Sequence, residues 1–311
     1  MNERRHRVLE ALSASEAPVS GPELAERLDV SRAAVWKHVE ALREAGFGIE
    51  SGDDGYRLTS VPEFGGPAVE FGLEAPFEVE YHDAIGSTND RARELAAAGA
   101  SDVVVLADEQ TGGRGRLDRA WTAPPGGVWL SVVCRPTLPP ARVPVYTLAA
   151  AVATTRAARE AGVDAGIKWP NDVLVHEPAE RKLAGILTEM EGEADRVSWV
   201  VVGVGVNANV PPESLPETAT SVAEQAGEVD RRAFTQRLLE EFHALTNEPE
   251  RVVPAWREHA LTLGRRVRVE TPDDDVVGEA VDVEFPGALV VDTGEEEVRV
   301  SAGDCEHLRP V

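Results

Sequence analysis

Residues 199–212 read WVVVGVGVNANVPP, and they decide between two folds. A β-branched run ending in Gly203-x-Gly205-x-x-Ala208 matches the dinucleotide fingerprint that follows a strand in a doubly wound sheet. That fingerprint needs a helix to begin at once, because the helix N-terminus holds the pyrophosphate. Here Asn209-Val210-Pro211-Pro212 follows, and the two prolines and the loop-like stretch beyond leave no room for one. The Rossmann reading fails. What remains is a buried strand whose small terminal residues would let a flat ligand lie against the backbone.

Outward from that strand, Ile167–Val175 and Leu183–Glu189 are two more strand-like runs at short spacing, which suits a mixed sheet. Further upstream, Phe77–His82 and Val103–Asp108 read as strands around a helix starting at Ser87, and Gly127–Cys134 is another strand. Pro144 sits at the first turn of a long Ala-rich helix ending near Glu160. Helices near Arg231–Leu245 and Val253–His259 close this region. Gly264–Val311 shows five short β-branched runs separated by turns, which predicts a small β-barrel.

The first sixty residues have a different pattern. Arg4–Leu12 carries apolar residues at helical spacing, and Ser20 caps a second helix with Leu24, Ala25 and Leu28 on one face. Asp29-Val30 turns the chain, and Ser31 caps a third helix with Val35, Val39 and Leu42 inward, stopping at Gly46. Phe47–Glu50, a Gly52-Asp53-Asp54-Gly55 turn and Tyr56–Thr59 then form a hairpin. Three helices and a hairpin make a winged helix-turn-helix. Its third helix exposes Arg32, Trp36, Lys37 and Arg43, side chains suited to phosphates and base edges in a major groove. The same charges would also suit a solvated protein–protein module. The expected layout is 1–60 winged helix, 61–76 linker, 77–262 catalytic domain and 263–311 barrel.

A 311-residue chain that is 42% hydrophobic can bury the cores of two or three domains. Thirty-one basic against fifty-five acidic residues leave a net charge of −24, which excludes coating nucleic acid by bulk electrostatics. The acidic runs Asp273–Asp275 and Glu295–Glu297 read as solvated surface, and acid over the whole surface points to a salt-loving source. Two cysteines, Cys134 and Cys305, exclude a disulfide scaffold and a Cys-cluster zinc site, and the seven scattered histidines suggest no metal site. The N-terminus lacks a signal-peptide stretch. Val143–Thr155 and Val197–Pro212 are too short or too broken to span a membrane, so a soluble cytoplasmic protein is expected.

Chemistry concentrates in the central region. Glu109–Arg116 reads EQTGGRGR, with Arg119 close behind: three glycines for close approach and three arginines for phosphate or carboxylate. It is not a Walker loop, since no Gly-Lys-Ser/Thr follows. Three arginines within six residues of so acidic a chain mark an anion site. Gly86-Ser87-Thr88-Asn89, Lys168–Asp172 (KWPND) and Lys182–Gly185 (KLAG) also stand out. Either lysine alone could be a surface snorkeler, and Ser87 could be a helix cap with Asp90 at the capping-box position.

Together these motifs resemble the bifunctional biotin–protein ligases that double as biotin-operon repressors, over nearly the full length. The matching features are the winged helix, G-S-T-N, Q-T-x-G-R-G-R, K-W-P-N-D, K-x-A-G-I-L, the G-x-G-x-N strand end and the small C-terminal barrel. One departure is Asp118, which stands where the family loop usually has glycine, with Leu117 at the middle position.

The resemblance implies a multidomain α+β protein: winged helix, a mixed-sheet ligase domain of the class II synthetase-like type, and an SH3-like barrel. It implies an ATP-dependent ligase that makes biotinyl-5′-AMP and passes biotin to a lysine of a carrier domain, with Mg²⁺ assisting. Ser87, Thr88, Asn89 and Gln110 would bind the ureido ring. Arg114, Gly115, Arg116, Lys182 and Gly185 would surround the biotin carboxyl. Arg116, Arg119, Trp121, Asn171, Lys182 and Asn207 would hold ATP. Lys182, Arg114 and Arg116 would be catalytic, and Asp172 would orient or deprotonate the acceptor lysine. Operator DNA and a homodimer formed with adenylate bound are the implied partners. The rival readings are a lipoate- or octanoyl-type ligase and a catalytically silent biotin-sensing repressor.

Overall fold

The computed structural model describes residues 1–308 apart from Glu177 and Asp273, and describes Asp118 through its backbone alone. Part of the acidic run Asp273–Asp275, the Asp118 side chain and the last three residues of the expected barrel therefore lie outside the described residues. The chain divides into two compact units, Met1–Leu73 and Glu74–Val311.

In the first unit, α1 (Glu3–Ser13), α2 (Gly21–Leu28) and α3 (Arg32–Glu44) enclose a core of Val8, Leu9, Leu12, Leu24, Val35, Val39 and Leu42. The expected caps form: Ser20 Oγ accepts from Glu23 N–H at 3.3 Å, and Ser31 Oγ accepts from Ala34 N–H at 3.2 Å. Asp29 ends α2 in the left-handed region and makes the tight turn. Strands β1 (Gly48–Gly52) and β2 (Gly55–Ser60) form the wing, and Val19 pairs with Tyr56 as a third short edge. Gly55 is required there, because a Cβ would lie 2.3 Å from the Val19 carbonyl oxygen and its φ is +132°. The stretch 61–76, expected as a linker, is instead partly built into this unit. It carries α4 (Gly66–Glu70) with Ala68 and Val69 buried, and Val61 and Phe71 pack on the helical core. Its apolar side chains, hidden among Pro, Gly and Glu, supply the reason.

In the second unit, a mixed seven-stranded sheet runs in the order β3-β4-β5-β9-β8-β7-β6. Its strands are β3 (Glu78–Ile85), β4 (Val103–Gln110), β5 (Val128–Cys134), β6 (Ala165–Lys168), β7 (Asp172–Val175), β8 (Arg181–Gly192) and β9 (Val197–Val206). Only β3 and β4 pair in parallel. The single strand expected over Ile167–Val175 is in fact the hairpin β6–β7. Lys168 pairs with Asp172, and the chain turns through Trp169-Pro170-Asn171, where Pro170 has no N–H to donate. One helix, α5 (Thr88–Ala97), connects the parallel pair. The Ala-rich α6 (Pro144–Glu160) is buried along most of its length, because it packs on the sheet and beneath α8 (Arg231–Asn247) and α9 (Val252–Glu258). After β9 comes only a single 3₁₀ turn, Pro212–Ser214, before α7 (Val222–Ala226), so no helix begins directly at the Gly203–Ala208 segment.

The C-terminal strands β10 (Arg266–Glu270), β11 (Val276–Glu284), β12 (Ala288–Asp292), β13 (Glu297–Val300) and β14 (Asp304–His307) form an antiparallel sheet in the order β13-β12-β11-β10-β14. It belongs to the same compact unit as the larger sheet. Trp169 Nε1 donates to the Gly287 carbonyl at 2.9 Å, and Arg257 makes a two-pronged contact with Asp282 at 2.7 and 2.9 Å. Among the described residues no helix is long and apolar enough to cross a membrane.

Candidate active site

Every residue that the motifs assigned to biotin, ATP or catalysis lines one cavity of about 270 Å³ in the second unit. Loop ends and strand ends build it. Ser87 caps α5 by accepting from Asp90 N–H, so Thr88 and Asn89 fall in the first helical turn, both buried. Gln110 ends β4; its Oε1 accepts from Thr88 N–H at 2.8 Å and from Thr88 Oγ1 at 3.0 Å.

The Gly/Arg segment folds back on itself as a tight loop. Trp121 N–H donates to the Gly113 carbonyl at 2.9 Å, and Gly115 N–H to the Arg119 carbonyl at 2.7 Å. Leu117 sits at its tip with φ +55° and 72% exposed, so the loop's left-handed residue is Leu117. The arginines diverge from there. Arg114 pairs with Asp90, Arg116 donates to Asn171 Oδ1 at 3.0 Å and to the Gly303 carbonyl at 2.7 Å, and Arg119 reaches Asp304 at 2.6 Å.

Lys182 on β8 lies beside Asp172 on β7, Nζ to Oδ1 2.6 Å, with the Trp121 ring centroid 5.0 Å from the ammonium. Asp172, the residue expected to orient or deprotonate the acceptor lysine, is thus engaged by Lys182. Asn171 is likewise committed, since its Nδ2 donates to the Ile186 carbonyl at 2.8 Å while its Oδ1 receives Arg116. Asn207 differs: its Nδ2 donates to the Thr220 carbonyl at 2.9 Å, but its buried Oδ1 has no partner among the described residues. The buried Trp121 Nε1 and Arg114 Nε also lack one. Unpaired buried polar atoms that line a cavity define what a ligand must bring: one donor and two acceptors.

The strand-end glycines do allow flat contact, but in this state the flat group is the protein's own. A Cβ on Gly205 would lie 2.9 Å from Trp121 Nε1, so the indole rests on the backbone there. The motifs did not single out Ser131, fully buried on β5, whose Oγ lies 2.6 Å from Asn89 Oδ1 and 2.8 Å from Thr88 Oγ1. Nor did they single out Glu189, whose Oε2 accepts from Asn89 Nδ2 at 2.8 Å, or Asp304. Ser131 and Glu189 sit in ordinary strand alternation, and Asp304 is far along the chain from the cavity's other residues, the last of which is Ala219.

Among the described residues no three His, Cys, Asp or Glu side chains cluster as a metal site. The two carboxylates in the cavity lining, Asp172 and Asp304, are each held by a cation. Among the described residues, those lining the cavity therefore do not form a carboxylate cage for a magnesium ion.

In the first unit, α3 exposes Arg32, Trp36 and Lys37, with Trp36 54% exposed. Arg43 does not join them. Its guanidinium donates to the Ile49 carbonyl at 2.6 and 2.8 Å and to Ser51 Oγ at 2.7 Å, bracing the helix against the wing.

A helix-turn-helix and an arginine- and lysine-lined cavity built on a mixed sheet define a class of proteins, and three family models match in chain order. They are an HTH domain over residues 4–57, the biotin/lipoate A/B protein ligase family over 82–207, and the biotin protein ligase C-terminal domain over 262–308. The bifunctional ligase/repressor BirA of Bacillus subtilis is 37% identical over 306 residues, covering 93% of this chain and 93% of that protein. The biotin–[acetyl-CoA-carboxylase] ligase of Mycobacterium tuberculosis is 39% identical over 238 residues, covering 72% of this chain and 86% of that protein. The chain belongs to the bifunctional biotin ligase/repressor family. Its fold is similar to that of the biotin protein ligase from Aquifex aeolicus in complex with biotin and ATP, with a TM-score of 0.62 and 24% identity, covering 74% of this chain and 99% of that one.

Proposed function

We propose that this chain is an ATP-dependent biotin–protein ligase that also represses transcription in response to biotin. The observation that carries the ligase reading is the cavity itself. In a chain of net charge −24, Arg114, Arg116, Arg119 and Lys182 line the same cavity as Ser87, Thr88, Asn89 and Gln110.

That pairing matches the chemistry. A carboxylate oxygen of biotin must attack the α-phosphorus of ATP, forming the mixed anhydride biotinyl-5′-AMP as the bond to pyrophosphate breaks. Two anions must meet, so preorganised cations are worth most where charge develops. Lys182 faces the phosphoryl oxygens, Arg114 and Arg116 the carboxylate, and Arg119 the outer phosphates. The Asn207 Oδ1 acceptor and the Trp121 Nε1 donor serve the adenine and ribose. In the second step the neutral amine of an acceptor lysine attacks the anhydride carbonyl, an amide forms and AMP leaves. Asp172, once Lys182 turns to phosphate, is the carboxylate placed to orient that amine. Magnesium would enter bound to the triphosphate and would offset its charge.

The polar Ser87–Asn89 and Gln110 lining argues against a lipoyl-type ring, which wants apolar walls. Intact Lys182 and Arg116 argue against a silent sensor. Arg32, Trp36 and Lys37 would read operator DNA, with two copies of the chain pairing when adenylate is bound. The acidic surface suits a cytoplasm rich in salt. Transfer of radiolabelled biotin to a carrier domain in high salt tests the reading. Labelling that requires ATP supports it, and absence of labelling overturns it.

A further inference from the structure

We propose that Glu189 is a positioning residue that sets the direction of a hydrogen-bond chain along the ring-reading wall, making the Thr88 hydroxyl an acceptor for a substrate ring N–H. The inference rests on the reading of the cavity as a biotin site.

A carboxylate can only accept. Glu189 Oε2 therefore takes the Nδ2 end of the Asn89 amide, at 2.8 Å, and the Leu187 carbonyl takes the same nitrogen at 3.3 Å. That fixes Oδ1 toward Ser131, 2.6 Å away. An amide oxygen can only accept, and a serine hydroxyl has one hydrogen, so Ser131 spends it on Asn89. Ser131 Oγ, 2.8 Å from Thr88 Oγ1, is left as an acceptor. The Thr88 hydrogen then goes to Ser131 or to Gln110 Oε1, 3.0 Å away, and both choices have the same consequence. Toward the cavity, Thr88 Oγ1 offers lone pairs only.

A ureido ring presents N–H donors, so this direction selects it. With the carboxylate gone, only the longer 3.3 Å contact to the Leu187 carbonyl still favours one end of the Asn89 amide over the other, and the two ends are nearly alike in shape. If Nδ2 turns to Ser131, the Ser131 hydrogen is released to Thr88 and consumes a lone pair meant for the ring. Asn89 and Thr88 are buried and Ser131 fully so, which keeps water from repairing the chain. Glu189 also contacts Arg93 at 3.2 Å, but Arg93 keeps Asp90 as a second partner.

The test is steady-state adenylation, read as pyrophosphate release, on the full chain carrying Glu189→Ala, Glu189→Gln or Ser131→Ala. Glu189→Ala is expected to raise the KM for biotin at least tenfold and leave kcat within threefold. Glu189→Gln, whose amide oxygen can still accept from Asn89, restores a near wild-type KM. Ser131→Ala raises the KM on its own, and its combination with Glu189→Ala adds little because both break one chain. An unchanged KM in Glu189→Ala overturns the proposal, as does a fall in kcat with no change in KM, or failure of glutamine to rescue. Should Glu189→Ala not fold, an unchanged KM in Ser131→Ala overturns it. A wild-type chain that does not adenylate biotin overturns the underlying reading and this inference with it.

Discussion

Lys182 and Asp172 meet at 2.6 Å across neighbouring strands, and the Trp121 ring lies over the same ammonium. The pair holds the cation in the cavity lining, at the cost of occupying the carboxylate. Lys182→Ala should lower the rate of biotin adenylation about 10²–10³-fold, the loss expected for one preorganised donor to developing charge. The adjacent apolar run Leu183–Leu187 still packs, so the fold should persist. Asp172→Asn, which frees the lysine without removing it, should cost roughly tenfold, or about 1.4 kcal/mol. Single-turnover kinetics checks both, and a near wild-type rate in Lys182→Ala would remove the lysine from the mechanism.

Arg119 and Asp304 tie the Gly/Arg loop to β14 through side chains that are 65% and 37% exposed. An exposed pair contributes little to stability, so Asp304→Ala should change unfolding by less than about 1 kcal/mol. Its expected effect is instead on how long the loop stays closed: biotinyl-AMP should dissociate several-fold faster. Equal release rates from the two proteins would mean that the Arg116 contact with Gly303 holds the loop alone.

Local pattern made the elements legible, and separation in sequence hid their junctions. The caps at Ser20, Ser31 and Ser87 and the Pro144–Glu160 helix follow from short-range chemistry, and they form as expected. The Lys168–Asp172 segment contains a turn that its β-branched flanks disguise. Cavity-lining residues stand out where glycine or arginine breaks the background. Ser131 and Glu189 are ordinary strand residues until the sheet brings β5 and β8 to Asn89, and no spacing rule reports that. Arg43 was read from its helix face alone. Its commitment to the Ile49 carbonyl depends on where the wing returns.

The proposed DNA-reading surface on α3 gives a contrast between two kinds of arginine. Arg32→Ala with Trp36→Ala should abolish sequence-selective operator binding and leave the fold intact, since both side chains are exposed. Arg43→Ala should destabilise the first unit by about 1–3 kcal/mol, because it strips partners from the Ile49 carbonyl. A salt series adds a further reading. Affinity falls by roughly 0.9 in log units per neutralised phosphate for each decade of salt. So few basic side chains predict a shallow slope, with base contacts and subunit pairing carrying the affinity. A double variant that still selects its operator would show that α3 is not the reading helix.

Two partly buried histidines make stability depend on mild acid. His307 Nδ1 lies 2.8 Å from Glu180 and its Nε2 3.0 Å from Thr262 Oγ1, yet burial outweighs the carboxylate and holds the imidazole below its usual 6.5. His259 is also held below that value, by burial and then by Arg159 and Arg156, and neither of its buried ring nitrogens has a partner among the described residues. Both groups bind protons more readily unfolded than folded. Their contribution is therefore fully present above about pH 6.5 and is lost as pH falls from there toward the depressed folded values. Glu180, held below its usual range by His307 despite its own burial, acts in a separate window, losing its contribution only at more acid pH. Thermal unfolding of the wild-type chain should thus weaken from about pH 7 to about pH 5. His259→Gln combined with His307→Gln should flatten that interval while leaving the acid limb set by the carboxylates. Parallel profiles for the two proteins would show that folding does not lower the proton affinity of either imidazole.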